Sequence, residues 1–268
     1  MKCLDGKKIL STFEIIRLSG LMHIKQSMAR SMYQFSVFVN PFMNTIFLYL
    51  MFRNGENDNL LSYVIISAGL MGVWNCSCFS TAGDINRERI MGTLPIVYTS
   101  PAGFNLVMFG KILANTIISL LSFAISLIVT VILSREIPDL SHLYEFVISF
   151  LAVIASVMML GMMIGYIFLL SRKTQLYMNL IEIPFIFICG FCFPIEILPK
   201  WVQNISNLFA PTWAVRILRM SMGEINLGVF YHDLGICVFE IVILACLSRL
   251  FFLFAQKRIS VTGTLEVC

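Results

Sequence analysis

The sequence predicts an all-α polytopic membrane protein with six transmembrane helices. Six apolar blocks, each long enough to cross about 30 Å of hydrocarbon as a helix, alternate with polar loops. Hydrophobic residues make up 58% of the 268 residues and charged residues only 13%, a balance too apolar for a soluble domain. The predicted spans are residues 33–52, 60–82, 112–134, 143–170, 176–193 and 234–255.

The segment before the first span carries too many charges to cross a membrane. Phe13, Ile16, Ile24 and Met28 recur at helical spacing, so we predict an amphipathic helix that lies flat in the membrane interface. A cytosolic helix packed on a partner is the alternative. The predicted organisation is a cytoplasmic N-terminus, a six-span domain and a cytoplasmic tail, over residues 1–32, 33–255 and 256–268.

The distribution of Lys and Arg predicts which side of the membrane each loop faces. With both termini inside, the cytoplasmic segments hold about thirteen basic residues and the outer segments about five, as expected because basic residues resist translocation. This orientation places Gly55, Ser141 and Gln203 outside. It also accounts for the net charge of +4 without nucleic-acid binding, which would need a clustered basic face.

The longest cytoplasmic loop, residues 83–111, lies between the second and third spans. Asp84 can cap a short helix there, and Gly92 and Pro95 can end it. The Arg and Glu residues in between are then expected to form an exposed, charged protrusion that docks a partner. A solvated inter-helix loop is the alternative.

Residues 194–220 are predicted to form short outer helices that partly re-enter the outer leaflet. Three prolines interrupt the apolar pattern, Glu196 and Lys200 are charged, and Trp201 and Trp213 suit the membrane interface. Lipid tolerates such a geometry only where protein or water covers the backbone. An ordinary long outer loop is the alternative.

The candidates for a translocation pathway lie in the second and fifth spans. Glu182 is an ionisable residue at membrane depth, which favours a functional role unless water reaches it from the cytoplasmic end. Trp74, Asn75, Phe187 and Phe191 can line a route for an amphipathic substrate, although packing or lipid contact is the commoner role of such residues.

The residue types needed for catalysis or metal binding are not grouped in the sequence. Cys76-x-Cys78 and Cys189-x-x-Cys192 have no nearby histidine, so packing is favoured over metal or redox use, and we expect no metal site. A membrane-embedded enzyme would need ionisable or nucleophilic residues clustered at one depth. The nearest approach to a phosphate-binding loop, before Lys111, has the wrong spacing.

Two segments of the sequence resemble the signatures of ABC-2 type permeases, the membrane subunits of type II ABC exporters. The cytoplasmic signature is matched by Glu88-x3-Gly92-Thr93-Leu94, followed by Ser100-Pro101 and Gly110-Lys111. The outer signature is matched by Gly190-x2-Phe193-Pro194-x3-Leu198-Pro199-x-Trp201, followed by Pro211-Thr212 and Arg216. Pro95 departs from the family pattern, which usually has an acidic residue there.

The resemblance implies a permease subunit in a bacterial plasma membrane that moves a drug-like, peptide, lipid or glycan substrate outward by alternating access. It implies a second permease subunit, identical or not, and two cytosolic ABC ATPase subunits that bind ATP and Mg, with no cofactor on this chain. The implied ATPase-coupling residues are Arg87, Glu88, Arg89, Gly92, Thr93 and Leu94. The implied outer-gate residues are Phe193, Pro194, Leu198, Pro199 and Trp201. A membrane-embedded binding or immunity scaffold that sequesters its ligand is the alternative function.

Overall fold

The computed structural model describes residues 2–53, 60–100, 102–135, 142–171, 174–223 and 225–262. Gly55, Pro101, Ser141 and residues 263–268 of the predicted tail lie outside them. The described residues are helical and contain no strand, which confirms the all-α prediction. The helices are α1 Lys2–Met28, α2 Ser31–Gln34, α3 Asn40–Phe52, α4 Leu60–Ile90, α5 Leu94–Thr99, α6 Phe104–Ser134, α7 Leu143–Leu169, α8 Thr174–Ile188, α9 Lys200–Ser206, α10 Ala210–Ser221 and α11 Leu227–Thr262.

Several of these helices are long and apolar enough to cross a membrane, which confirms a polytopic membrane protein. Within the described ranges there are four: Ser31–Phe52, Phe104–Ser134, Leu143–Leu169 and Leu227–Arg258. The first of these consists of α2, a π-helical turn over Phe35–Val39, and α3. Leu61–Ser77 and Leu176–Ile188 are shorter apolar helices that coincide with the second and fifth predicted spans. The count of six spans stays a prediction.

Helix α4 separates the two regions that the sequence singled out. It has 31 residues, about 46 Å at 1.5 Å per residue. Near its start, the Tyr63 hydroxyl donates to the Cys192 carbonyl, 3.0 Å away, beyond the end of α8. Near its end, Arg89 donates to the Leu169 carbonyl at the end of α7, 2.7 Å away. The turn after α4 and the segment after α8 therefore lie at opposite ends of the bundle.

The apolar core is built around α4 and α7. The largest cluster joins Trp74 of α4, Phe168 of α7, Phe230 of α11 and the segment after α8 at Phe191, all at most 1% exposed. A second cluster, which includes Leu94, packs where α4, α6 and α7 meet the turn after α4. Because lipid supplies no hydrophobic drive between helices, this close packing is what holds the bundle together.

The N-terminal helix packs along α6. Over residues 12–28 its buried residues are Gly20, His23 and Ser27, whereas Phe13 of the predicted apolar face is 67% exposed. Opposite Gly20, α6 carries Gly110, where an added Cβ would lie 2.6 Å from the carbonyl oxygen of Ile16. The predicted helix is thus present, and a glycine contact, polar side chains and part of the predicted apolar face, Ile24 and Met28, pack it against the bundle. Its position in the membrane interface stays a prediction.

Candidate functional site

The turn after α4 is shorter than the sequence suggested, because α4 ends at Ile90 and α5 begins at Leu94. Helix α4 continues without a break through Asp84 to Ile90, so the prediction that Asp84 caps a separate short helix is wrong. Gly92 ends the helix with φ +68°, a left-handed conformation that suits glycine. Pro95 lies in the first turn of α5, where its missing N–H is not needed, and therefore starts a helix and does not end one.

The charges before this turn point inward. Glu88 and Arg89 are 8% and 7% exposed, so the expectation of an exposed charged protrusion is wrong for both. Glu88 forms an ion pair with Lys111 of α6. Arg89 donates to the carbonyl of Leu169, the last residue of α7, and to that of Ser171 just beyond it. A cation is favourable at this end of a helix. The two residues brace α4 against α6 and α7.

Apolar side chains form the outer surface of the turn. Ile90, Met91 and Ile96 are 71%, 66% and 68% exposed, and we call them the turn surface. Leu94 between them is fully buried and anchors the start of α5 in the core. The turn is therefore an apolar tip on a stem that internal ion pairs hold in place, and Gly92, Thr93 and Leu94 shape it.

A buried polar cluster joins α1 to α4 and α6. His23 is 1% exposed, and its Nε2 lies 2.6 Å from Asn115 Oδ1 and 3.1 Å from Asp84 Oδ2. Both partners are acceptors, so Nε2 carries the hydrogen. Burial lowers the pKa of His23, and the Asp84 carboxylate opposes that shift. Arg30 pairs with Asp84 at 3.1 Å and completes the cluster.

A cavity of about 680 Å³ lies between α1 and the turn. His23, Gln26, Arg87, Glu88 and Lys111 are among its lining residues. Sequence reasoning missed this site because its members come from three distant segments. The only signal was the number of ionisable residues in α1 and α4, which by itself does not show that they meet.

At the opposite end, the predicted short outer helices are present as a 3₁₀ turn, Ile195–Ile197, followed by α9 and α10. Their depth in the membrane stays a prediction. Among the predicted gate residues, Phe193 stacks on Phe187 with ring centroids 5.6 Å apart. Trp201 is 68% exposed, Pro199 is exposed, and Pro194 and Leu198 are half-buried.

Arg219 of α10 holds the outer segment to the bundle. It donates to the carbonyls of Gly190 and Phe191, at 3.0 and 3.2 Å, and to the Ser67 hydroxyl of α4, at 3.2 Å. Its guanidinium also lies over the Tyr63 ring, 4.8 Å from the centroid. The sequence indicated no role for this arginine, because its partners are spread over α4 and the end of α8.

Two of the predicted pathway residues are core residues. Trp74 and Phe191 are each 0% exposed, and their rings lie 5.7 Å apart. Trp74 also stacks on Phe185 at 5.4 Å and donates from Nε1 to the Glu182 carbonyl, 3.2 Å away. These contacts are of the kind that the packing alternative expects, and a role of both side chains in a pathway stays a prediction.

The other predicted pathway residues lie nearer the surface. Phe187 is 42% exposed, and Glu182 and Asn75 are half-buried. Asn75 Oδ1 accepts a hydrogen bond from the Ser36 hydroxyl, 3.1 Å away, within the π-helical turn Phe35–Val39. Such turns often occur at functional sites in helices. The structure therefore groups Asn75 with the first span, not with Glu182.

Comparison of the sequence with known protein families gives a match over most of the chain. The sequence model of a family described as ABC-2 type transporter matches residues 21–222, well over half of the chain. The matched range begins in α1, contains both the turn after α4 and the outer segment, and ends at the end of α10. No curated protein matches the sequence.

Proposed function

Because this chain belongs to the ABC-2 type transporter family and is a permease subunit of an ABC transporter, we propose that it moves its substrate out across the plasma membrane of a bacterium by alternating access. In this proposal both termini are cytoplasmic, a second permease subunit completes the pathway, and two ATPase subunits supply the energy from ATP and Mg. The substrate class is a drug-like molecule, a peptide, or a lipid or glycan.

The turn surface carries the proposal. Three exposed apolar residues, Ile90, Met91 and Ile96, stand on a helix end that Glu88 and Arg89 brace from inside. A braced apolar tip is suited to transmit movement, because a push on it displaces α4 and α7 together. We therefore assign direct contact with the ATPase to the turn surface. Arg89 and Glu88 take part in coupling as the internal brace.

The experiment is copurification of the permease with its ATPase subunit, together with substrate-stimulated ATP hydrolysis. Ile90→Glu and Ile96→Glu are expected to lower the recovered ATPase at least about tenfold, since truncating a central contact typically weakens an interface by 2 kcal/mol or more. Leu208→Glu is the matched control, because Leu208 is an equally exposed apolar residue, 75%, at the opposite end of the bundle. Recovery of the ATPase at the wild-type level with both Ile90→Glu and Ile96→Glu would refute the assignment.

For the pathway we propose α8, which carries the exposed Phe187 and, about 140° around the helix from it, the half-buried Glu182. A carboxylate at that depth is tolerated only where water or a partner subunit solvates it, and a pathway between two permeases provides both. Glu182→Gln is expected to preserve assembly and change substrate preference. Wild-type transport by that variant would place Glu182 outside the pathway.

Transport by the reconstituted complex separates an exporter from a binding scaffold. An exporter accumulates substrate on one side of a sealed vesicle only when ATP is present. A scaffold binds the same amount with or without ATP and accumulates none.

A further inference from the structure

The outer end of the molecule contains an arginine whose charge is not balanced. The described residues place no carboxylate within ion-pair distance of Arg219; its bonded partners are neutral carbonyls and a hydroxyl. Its neighbour Arg216, by contrast, lies 3.5 Å from Glu196 and 4.0 Å from Asp233. Arg216 is thus paired with carboxylates, whereas the Arg219 guanidinium is hydrogen-bonded to neutral groups.

Arg219 also has unused hydrogen-bond donors. Its Nε and Nη1 are buried and have no hydrogen-bond partner in the part of the chain that the structure describes. Buried donors on a charged group that remain unpaired are strongly destabilising. The face of the Tyr63 ring compensates the charge only weakly, since a cation–π contact is worth about 0.5–2 kcal/mol.

These donors adjoin a cavity of about 300 Å³. Arg216, Arg219 and Glu196 line it together with the apolar side chains of Ile195, Val215 and Met220. The Glu196 carboxylate lies 3.5 Å from Arg216 and is paired with it. This volume is at the lower end for small-molecule sites, about 300–1,000 Å³. It is large enough for a phosphate or carboxylate group and the first carbon atoms attached to it. The mixed lining suits an amphipathic anion, whose charged group meets the guanidinium groups while its carbon atoms meet the apolar side chains.

We propose that this outer cavity binds the anionic group, a phosphate or carboxylate, of an amphipathic molecule through Arg219 and Arg216. Two sources share this chemistry: a lipid headgroup at the membrane surface and an anionic compound that reaches the cavity from water or along the pathway. Trp213, whose ring lies 5.0 Å from the Arg216 guanidinium, is an aromatic residue of the type that marks the membrane interface. This binding proposal is independent of the direction in which the permease moves its substrate.

The test uses the full-length permease with its ATPase in neutral detergent, titrated with dihexanoyl phosphatidic acid and, for comparison, with uncharged dihexanoylglycerol. Trp213 fluorescence in a Trp201→Phe background reports binding, because Trp74 is fully buried and has no surface that added ligand can reach. We expect saturable binding of the phosphatidic acid only. Equal binding of the uncharged lipid would overturn the proposal.

Variants locate the site. Arg219→Gln is expected to weaken phosphatidic acid binding about tenfold or more, as for the loss of a charge-assisted hydrogen bond. Met220→Glu should also weaken phosphatidic acid binding about tenfold or more, because it places a carboxylate inside the cavity while both arginines stay. This variant tests the site even if Arg219→Gln does not fold. Met220→Gln and Lys200→Gln are the controls, the second removing a cation from the same end of the molecule, and each should change affinity less than about threefold. Unchanged affinity in a folded Met220→Glu variant would refute the site.

Vesicles distinguish the two sources. If a lipid headgroup occupies the cavity, phosphatidylglycerol added to phosphatidylcholine vesicles raises the thermal midpoint of the wild-type complex but not of Met220→Glu. If a soluble or transported anion occupies it, the two vesicle compositions give the same midpoint while phosphatidic acid still binds in detergent. Both outcomes support the site. A failure of ATP-driven accumulation with intact phosphatidic acid binding would refute the proposed export and leave this inference standing.

Discussion

The inward-facing ion pair between Glu88 and Lys111 makes a quantitative prediction about folding. Their side chains are only 10% and 12% exposed, so removing one partner leaves the other charge largely buried. Unpairing a buried charge typically destabilises by 3–5 kcal/mol. The 680 Å³ cavity beside this pair has polar lining residues and is large enough to hold water. We therefore expect about 2–3 kcal/mol for each of Glu88→Gln and Lys111→Met, below the range for a dry interior.

The assay is a double-mutant cycle on the free energy of unfolding in mixed detergent micelles. Because the second substitution no longer strands a charge, the double variant Glu88→Gln/Lys111→Met should lose about 3 kcal/mol in total, a coupling energy of about 2 kcal/mol. The exposed pair Glu196–Arg216 is the matched control. Its side chains are 66% and 33% exposed, so its coupling should be below about 0.5 kcal/mol. A Glu88–Lys111 coupling no larger than this control would refute the buried-brace interpretation.

The same variants separate bracing from docking. If Glu88 acts only from inside, the double variant assembles with the ATPase as wild type does, once it is folded. If Glu88→Gln loses the ATPase while its free energy of unfolding is unchanged, Glu88 contacts the partner directly, and the turn surface is larger than Ile90, Met91 and Ile96.

Three further predictions follow from the packing of α1 and from the orientation. Burial lowers the pKa of His23 from its usual 6.5 in the folded protein, so the unfolded chain takes up the proton first and stability falls as the pH drops below about 6.5, by at most about 1.4 kcal/mol per pH unit. His23→Gln should remove that pH dependence in unfolding measurements. Gly110→Val should separate α1 from α6, because even a Cβ would lie 2.6 Å from the Ile16 carbonyl oxygen, and crosslinking of cysteines in the two helices should then drop. In intact cells an impermeant maleimide should label Gln203→Cys and not Met91→Cys on a cysteine-free background; the reverse result would invert the orientation.

The sequence by itself determined that the chain lies in a lipid bilayer and where several of its helices begin and end. Six apolar blocks required a bilayer, and helix is the conformation that satisfies their backbone groups there. Gly92 marks the end of α4, and the prolines after Phe193 mark the starts of the short helices that follow, because φ preferences and missing N–H groups act within a few residues. The two signature segments indicated the family, and the family match confirms it.

What only the tertiary structure decided was which polar side chains meet. Glu88 and Arg89 look like surface charges in a loop, but α6 and α7 cover them. Arg219 meets partners 28 to 152 residues away in the chain, a separation at which spacing and hydropathy carry no information. In a bundle held by packing and polar contacts, these long-range pairings place both candidate sites, and the hydrophobic pattern alone does not specify them.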